Sequence, residues 1–329
     1  MARTIRFHRH GGPEVLTIED IDVPPPGSGE VRIRTKALGL NRAEVLFRSG
    51  SYIEQARFPS GIGLEAAGLI ESIGAGVEGL SPGDAVSLVP PRSMVSSPVH
   101  GELVTVPAAL VVKHPPTLGW DAAAASWMQY LTAYGALVDI ARLARGEHVV
   151  ITAASSSVGL AAIQIANRIG AIPVAVTRTS LKAQALREAG AAHVVASAEE
   201  DIEARLKQIA GEGGVRVVFD AVGGPAFVPL TAAMGRGGIL FEYGGLSPQA
   251  TPFPLFNVLS KSLTLRGYLV HELTGDPKRL AAAKAFILDG LGDGSLKPII
   301  ARTFPFEAIV EAHRYLDSNE QFGKVVVTL

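Results

Sequence analysis

The stretch VVITAASSSVGLAAIQIANRIGA, from Val149 to Ala171, decides how the fold is interpreted. Its first residues are apolar and β-branched, its last residues have the composition of an apolar helix, and a short loop joins the two. Glycines usually occupy such a loop when the pyrophosphate of a dinucleotide must approach the backbone. Here the serines 155–157 stand in its middle. Both a phosphate cradle and an ordinary strand–turn–helix are therefore open interpretations.

The residues that follow repeat this alternation of strand and helix. Short strand-like runs alternate with helical segments: HVVIT, IPVAVT, AHVVA, VRVVFD, GGILFEYG and, as a sixth run, SLTLRGYL. Buried β-branched runs that alternate with helices are typical of a parallel sheet with helices on both faces. The fold class predicted for this part of the chain is a doubly wound α/β sheet.

The N-terminal third has a different character. EVRIRTKALGL (Glu30–Leu40) alternates apolar and polar residues, and AAGLIESIG and GDAVSLVP are shorter strand-like runs, so this part is predicted to be β-rich. One long helix, opened by an Asp121 N-cap, is expected to follow. Two further helices, about 277–289 and 306–317, and a final strand, GKVVVTL, are expected near the C-terminus.

Composition narrows the function classes. The chain has 329 residues, of which 47% are hydrophobic and 19% charged, with a formal net charge of −1. This balance is globular and offers no basic surplus for nucleic acid. No apolar run is long enough for a membrane helix, and no secretory signal opens the chain, so the expected location is the cytoplasm. Cysteine is absent, which excludes disulfides and cysteine-ligated metal.

The serine loop keeps one residue of the glycine fingerprint. Against G-x-G-x-x-G it supplies Ala154, Ser156 and Gly159. Helix N-terminal amides attract anions, and a hydroxyl of Ser156 or Ser157 can donate to a phosphate oxygen. The competing interpretation is that the serines only cap the helix. We predict that the cofactor pyrophosphate lies against the loop residues Ser156, Ser157, Val158 and Gly159.

The end of the second strand of this region indicates which dinucleotide binds. An NAD site usually places an acidic residue there for the ribose 2′-hydroxyl. IPVAVTRTSLK instead offers Thr177, Arg178, Ser180 and Lys182, two of them cationic. Cations and hydroxyls suit a 2′-phosphate, so NADPH is predicted as the cofactor. The alternative is that Arg178 and Lys182 belong to a solvated helix start.

The order of several motifs resembles a known family over essentially the whole chain. FHRHGGPEVL, LGLNRAEVLFRSGSY, PSGIGLEAAGLIESIGAGVEGLSPGDAV, LTAYGAL, VVFDAVGG and FGKVVV are similar to segments of the medium-chain dehydrogenase/reductases, in their zinc-free, zeta-crystallin-like quinone oxidoreductase branch. The resemblance implies a GroES-like β-barrel domain, residues 1–121 completed by 268–329, and a Rossmann NADP-binding domain, residues 122–267. It also implies a homodimer, with SLTLRGYLV as the candidate edge strand.

The resemblance also implies roles for individual residues. Asn41 and Tyr52 match positions close to the nicotinamide and substrate, where Tyr52 would donate a hydrogen bond or a proton and Asn41 would orient substrate or ribose. The alternatives are a helix N-cap for Asn41 and loop packing for Tyr52. The matching cofactor contacts are Asn41, Thr132, Val222, Gly223, Tyr243, Gly244 and Lys324.

Zinc chemistry is not expected. The histidine of the G-H-E motif of zinc-dependent relatives is replaced in Gly63-Leu64-Glu65, and the remaining histidines are scattered. Without a Lewis acid, reduction of an activated acceptor remains accessible: a quinone, or a C=C bond conjugated to a carbonyl. An enoyl reductase acting on a thioester or polyketide-like substrate is the alternative enzyme. A protein that binds NADPH with little turnover is the alternative outside catalysis.

Overall fold

The computed structural model describes residues 1–115 and 117–329, which form two compact units. Unit 1 comprises Met1–Met128 and Pro298–Leu329, and unit 2 comprises Gln129–Lys297. No helix among the described residues is long and apolar enough to cross a membrane. The strands are β1 (Ala2–Phe7), β2 (Leu16–Ile21), β3 (Glu30–Leu40), β4 (Ser60–Gly61), β5 (Ala66–Ile73), β6 (Ala85–Leu88), β7 (Leu103–Pro107), β8 (Val111–Lys113), β9 (His148–Ile151), β10 (Ile172–Thr177), β11 (His193–Ala196), β12 (Val215–Asp220), β13 (Met234–Glu242), β14 (Thr264–Gly267), β15 (Ile300–Pro305) and β16 (Lys324–Thr328).

The α-helices occur in both units, and α3 continues into a π-helical stretch, Gly135–Ile140. They are α1 (Arg42–Ser49), α2 (Trp120–Ala123), α3 (Trp127–Tyr134), α4 (Ser157–Ile169), α5 (Ala183–Glu188), α6 (Ile202–Ala210), α7 (Phe227–Ala233), α8 (Leu255–Lys261), α9 (His271–Thr274), α10 (Pro277–Asp293) and α11 (Ile309–Ser318).

Unit 1 is built on the β-rich N-terminal third, as the alternation predicts. Its larger sheet has the strand order β15-β16-β3-β5-β6-β8, with β7 also paired to β3, and β2-β1-β4 form a smaller sheet. The C-terminal strand β16 lies antiparallel to β3, with Val325 opposite Leu40. This pairing brings Lys324, the first residue of β16, next to the end of β3 and the start of α1.

Unit 2 is the doubly wound domain. All neighbouring pairs in its sheet are parallel, and the strand order is β11-β10-β9-β12-β13-β14. Strands buried on both faces explain the continuous apolar runs, because Val149, Val150 and Ile151 of β9 are all fully buried. The order reverses between β9 and β12, and ligands of such sheets bind at that point, outside the carboxyl ends of the strands.

The prediction of one long helix opened by Asp121 is wrong. Two helices form instead, and Gly119 rather than Asp121 is the N-cap of the first. The break has a physical cause: the carboxylate of Glu65 accepts the backbone N–H groups of Trp127 (2.7 Å) and Met128 (3.1 Å). These groups would otherwise bond to carbonyls one turn earlier, so a new helix starts at Trp127.

The boundary between the units also differs from the predicted one. Residues 268–297, expected to complete the N-terminal domain, belong to unit 2. In α10, Phe286 packs against Tyr134 with ring centroids 5.1 Å apart, and Asp293 pairs with Arg168 at 2.5 Å. Helical periodicity shows that α10 is amphipathic, but it does not show which sheet its apolar face covers.

Candidate active site

The serine loop of unit 2 caps α4 and brings the backbone close together. Ser156 is the N-cap, and its hydroxyl oxygen accepts the N–H of Gly159 at 3.1 Å. A Cβ at position 159 would lie 2.7 Å from both the Cα and the carbonyl oxygen of Ala154. Glycine is therefore required for close packing of helix against strand, which is the role of the third glycine of the fingerprint. The capping interpretation holds for Ser156, and capping does not remove the anion-attracting helix N-terminus.

The cationic segment after β10 meets this loop. The ammonium of Lys182 donates to the hydroxyl of Ser155 at 3.4 Å, so one predicted 2′-phosphate contact lies beside the predicted pyrophosphate loop. Arg178 and Ser180 are exposed, and Thr177 is the last residue of β10. The N–H of Ser180 donates to Glu199 at 3.0 Å. Glu199 carries no signal of this contact in the sequence, because it follows the next strand, β11.

A second turn closes the carboxyl end of β12. The carboxylate of Asp220 accepts the hydroxyl of Thr152 (2.5 Å) and the N–H groups of Val222 (2.9 Å) and Gly223 (3.2 Å). The φ angle of Gly223 is +65°, in the left-handed region that favours glycine. Two predicted cofactor contacts, Val222 and Gly223, are thus held by one buried carboxylate at the point where the strand order reverses.

The end of β13 completes this edge of the sheet. The Tyr243 ring stacks on Phe219 with centroids 4.0 Å apart, and its buried hydroxyl has no hydrogen-bond partner among the described residues. Burial beside Asp220 raises the pKa of this phenol. A Cβ on Gly244 would lie 2.7 Å from the carbonyl oxygen of Ala221, so a larger residue at position 244 would clash with the backbone of Ala221. Thr132, predicted to contact the cofactor, is a buried residue of α3.

In unit 1, a buried network surrounds Asn41. The amide of Asn41 donates to the carbonyl of Gly39 (3.1 Å) and to Glu44 (3.2 Å). Its oxygen accepts the Lys324 ammonium at 2.6 Å. The other oxygen of Glu44 accepts the backbone N–H of Asn41 at 3.0 Å, so Asn41 stands at the N-terminus of α1. Every polar atom of the Asn41 side chain is engaged, which fixes its orientation.

Lys324 and Glu65 form a fully buried ion pair at 2.5 Å. One Glu65 oxygen holds Lys324 and the other holds the start of α3, so the carboxylate is satisfied on both sides. The resemblance places Lys324 near the cofactor. In this structure its ammonium donates hydrogen bonds to Glu65 and Asn41. Gly39 makes room for the pair, because a Cβ there would lie 2.0 Å from the carbonyl oxygen of Ala124 and 2.9 Å from Lys324.

Tyr52 follows α1 and is half-buried, with its ring edge-on to Phe47 at 6.5 Å. Burial, followed by the charges of Glu54 and Glu44, raises the pKa of Tyr52. A phenol that stays protonated through neutral pH is suited to donate a hydrogen bond to a developing oxyanion.

Buried acids and imidazoles near this network have shifted pKa values. Burial raises the pKa of Glu44 to about 7, against the opposing effect of its bonds to Asn41. Burial lowers the pKa of His100 to about 3. The sequence predictions include neither Glu65 nor Glu44. The partners of Glu65 are too distant in sequence for spacing to reveal them, whereas Glu44 follows Asn41 by three residues, the spacing of a capping box.

The donor set does not fit zinc. The chain has no cysteine, Leu64 stands where the resemblance expects a histidine, and both Glu65 oxygens already accept hydrogen bonds. In the part of the chain that is described, no group of three His, Cys, Asp or Glu side chains is arranged to hold a metal ion.

Comparison with known proteins gives the family. Profiles for an alcohol dehydrogenase GroES-like domain and a zinc-binding dehydrogenase match residues 27–116 and 157–287. Quinone oxidoreductase 1 of Escherichia coli (strain K12) is 32% identical over 331 residues, covering 98% of each chain. This chain belongs to the quinone oxidoreductase branch of the medium-chain dehydrogenase/reductases. It is accordingly an oxidoreductase.

Solved structures of this superfamily share the fold. The structure of Escherichia coli quinone oxidoreductase complexed with NADPH has a TM-score of 0.90 and 30% identity, covering 99% of this chain and 100% of that one. CurK enoyl reductase has a TM-score of 0.86 and 25% identity, covering 99% of each chain. The expected combination of a GroES-like domain with a parallel-sheet domain is confirmed.

Proposed function

We propose that this protein is an NADPH-dependent, zinc-independent reductase of quinones or of α,β-unsaturated carbonyl compounds. One observation carries the cofactor assignment: Lys182 meets the serine loop at the N-terminus of α4. There a dinucleotide pyrophosphate and a 2′-phosphate would each find a positive partner. The E. coli relative crystallised with NADPH has the same fold, which supports this choice.

The residues of unit 2 fit NADPH. Gly159 lets the start of α4 pack closely against Ala154, and Asp220 holds the backbone of Val222 and Gly223 at the strand reversal, where sheets of this kind bind dinucleotides. The predicted contacts Ser156, Ser157 and Val158 would lie at the pyrophosphate, and Arg178 and Lys182 at the 2′-phosphate. Bound NADPH supplies the hydride.

Residues of unit 1 supply orientation and charge stabilisation. The Tyr52 hydroxyl would donate a hydrogen bond to the acceptor oxygen as negative charge develops on it. Asn41 is held rigidly by Lys324 and Glu44, so any contact that it makes is preorganised. The protein relies on hydrogen-bond donors in place of a Lewis acid, and this suits acceptors that are already activated.

The test is NADPH oxidation by purified protein with a quinone, an enone and an enoyl thioester, with NADH in parallel and with and without a chelator. Chelator-insensitive turnover that prefers NADPH is expected. Tyr52→Phe should lower kcat 10²- to 10⁴-fold, the usual range for a lost proton or hydrogen-bond donor, with unchanged NADPH affinity. Lys182→Ala should raise KM for NADPH but not for NADH.

Each alternative has its own outcome. A strong preference for the thioester would favour an enoyl reductase, which the similarity to CurK supports. Tight NADPH binding without turnover of any acceptor would favour a binding role. Loss of activity with the chelator would refute zinc independence.

We also propose a homodimer joined through the edge strand β14. This strand pairs with β13 on one side and is the last in the sheet order. Close by in sequence, α8 and the residues before it expose Phe253 (67%), Phe256 (81%) and Leu259 (65%). Light scattering during size-exclusion chromatography should give twice the chain mass, and Phe256→Glu should give the monomer.

A further inference from the structure

Two carboxyl groups lie side by side at the ends of adjacent strands in unit 2. Asp220 ends β12 and Glu242 ends β13, and the two are register partners in the parallel sheet. Both oxygens of Glu242 are buried without a well-formed hydrogen bond among the described residues, and the polar groups that act on them are the Asp220 carboxyl and the backbone N–H of Gly244. An ionised carboxylate would not persist in such surroundings without a donor or a cation.

Asp220 is the member of the pair that hydrogen-bond donors hold in place. It accepts hydrogen bonds from one hydroxyl and two backbone N–H groups. Two adjacent buried carboxyls do not both ionise near neutrality. Burial, and then the charge of Asp220, raise the pKa of Glu242 to about 8. Glu242 is therefore a neutral acid at pH 7, with a proton to share with Asp220.

The Glu242 carboxyl also packs on the turn that Asp220 holds. A Cβ at Gly223 would lie 3.6 Å from Oε2 of Glu242 and 2.8 Å from the hydroxyl of Thr251. Thr251 in turn accepts the N–H of Gly224 at 2.9 Å. The backbone of Gly223 is thus enclosed between the Asp220 carboxylate, Glu242 and Thr251.

Few other charges face this pair. Tyr243 directly follows Glu242, just after the end of β13, and burial, followed by the charge of Asp220, raises the pKa of its phenol. Glu242 lines a cavity together with residues of β14, α7 and the segment before α8. Arg266 of β14 borders this cavity, and its guanidinium pairs with Glu272 at 2.6 Å. The lining residues from the segment before α8 (251–253) and from α7 (Phe227) carry no ionisable group. Ionisation of Glu242 is thus the change of charge that we expect beside the turn between pH 7 and 9.5.

We propose that Glu242 is a positioning residue for NADPH: as a neutral acid it joins the end of β13 to the Asp220 turn, and tight cofactor binding requires its proton. The inference rests on the proposed function, in which Val222, Gly223 and Gly244 contact the cofactor. A second negative charge beside Asp220 would repel the anionic dinucleotide and separate two backbone segments that contact it. By linkage, bound NADPH must then raise the pKa of Glu242.

The experiment compares the wild type with Glu242→Gln, whose amide can donate to Asp220 but has no proton to lose. NADPH fluorescence gives Kd between pH 7 and 9.5, a window above the second ionisation of a phosphate monoester at about 6. The wild-type Kd should be constant below pH 8 and rise up to tenfold per pH unit above it. The Glu242→Gln Kd should equal the wild-type value at pH 7 and stay flat.

Calorimetry in buffers of different ionisation enthalpy provides a second measurement, the number of protons taken up when NADPH binds. Binding at pH 8.5 to 9 should take up a proton in the wild type and none in Glu242→Gln. Glu203→Gln, on the exposed side of α6, is the matched control and should keep the wild-type profile.

The outcomes separate this inference from the proposed function. Tight NADPH binding with the same pH profile in wild type and Glu242→Gln, or a wild-type Kd that is flat to pH 9.5, overturns the role of Glu242 alone. Failure of the wild type to bind NADPH at any pH overturns the proposed function as well.

Discussion

Replacing Lys324 with methionine tests the buried network of unit 1. The substitution keeps an unbranched side chain, one heavy atom shorter, and removes the charge. It leaves the Glu65 carboxylate without its cation, and the Asn41 oxygen without its donor, in surroundings where neither is exposed to solvent. Breaking a buried ion pair by removing one partner typically costs about 3–5 kcal/mol. For a unit of this size the midpoint of thermal unfolding should fall by about 6–20 °C.

The double variant gives the sharper measurement. In Lys324→Met with Glu65→Gln no charge is left unpaired, and the glutamine oxygen can still accept the N–H groups of Trp127 and Met128. We expect the double variant to lose less stability than Glu65→Gln and Lys324→Met summed, by at least about 2 kcal/mol, because both singles leave a lone buried charge.

The assay is urea unfolding of the cofactor-free protein, followed by a unit 1 signal from Trp127 or Trp120 and repeated by calorimetry. Lys113→Met is the control, since Lys113 forms a half-exposed ion pair with Asp84 at 2.8 Å and its loss should leave the midpoint nearly unchanged. Additive losses in the double variant, or a Lys324→Met protein as stable as the wild type, would refute the reasoning.

Three further variants test other parts of the structure. Gly159→Ala places a Cβ 2.7 Å from the backbone of Ala154, so we expect a loss of about 1–3 kcal/mol and weaker NADPH binding, whereas Gly292→Ala, in open space on α10, should not destabilise. His313→Leu removes two buried ring nitrogens that have no hydrogen-bond partner among the described residues, and should stabilise by about 1 kcal/mol. Burial lowers the pKa of His313, so keeping the ring neutral in the folded state costs nothing above the ordinary pKa of about 6.5 and costs increasing stability as pH falls below it; melting temperatures of His313→Leu should therefore fall less steeply at acid pH than those of the wild type. Glu44 has its pKa raised to about 7, so its contribution is full below about 4.5 and is lost as pH rises to 7; the stability of Glu44→Gln relative to wild type should increase over that range, and a constant difference would contradict the assignment.

Most of the fold could be predicted from local patterns. The alternation in Glu30–Leu40 gave the central strand of unit 1 with its bounds, and the six apolar runs gave the six parallel strands of unit 2. These predictions hold because side-chain periodicity is a property of a few consecutive residues and burial follows from it directly. The helix after Asp121 was predicted incorrectly because the group that breaks it, Glu65, lies more than fifty residues earlier.

The features of the site also fall into those that the sequence predicts and those that it does not. The serine loop, the cationic segment after β10 and the absence of zinc ligands follow from residue types and spacing. The pairing of Lys324 with Glu65, 259 residues apart, does not. Neither does the acid pair of Asp220 and Glu242, which depends on two strands lying side by side.

Sequence by itself determined the strand–helix alternation, the cysteine-free chemistry and the residues from which a cofactor site can be built. Only the tertiary structure decided which of them are held, paired or protonated. A hydrogen bond or an ion pair depends on distance in space and on exclusion of water. Both quantities arise when distant segments pack together, as β16 does against β3 when it brings Lys324 to Asn41.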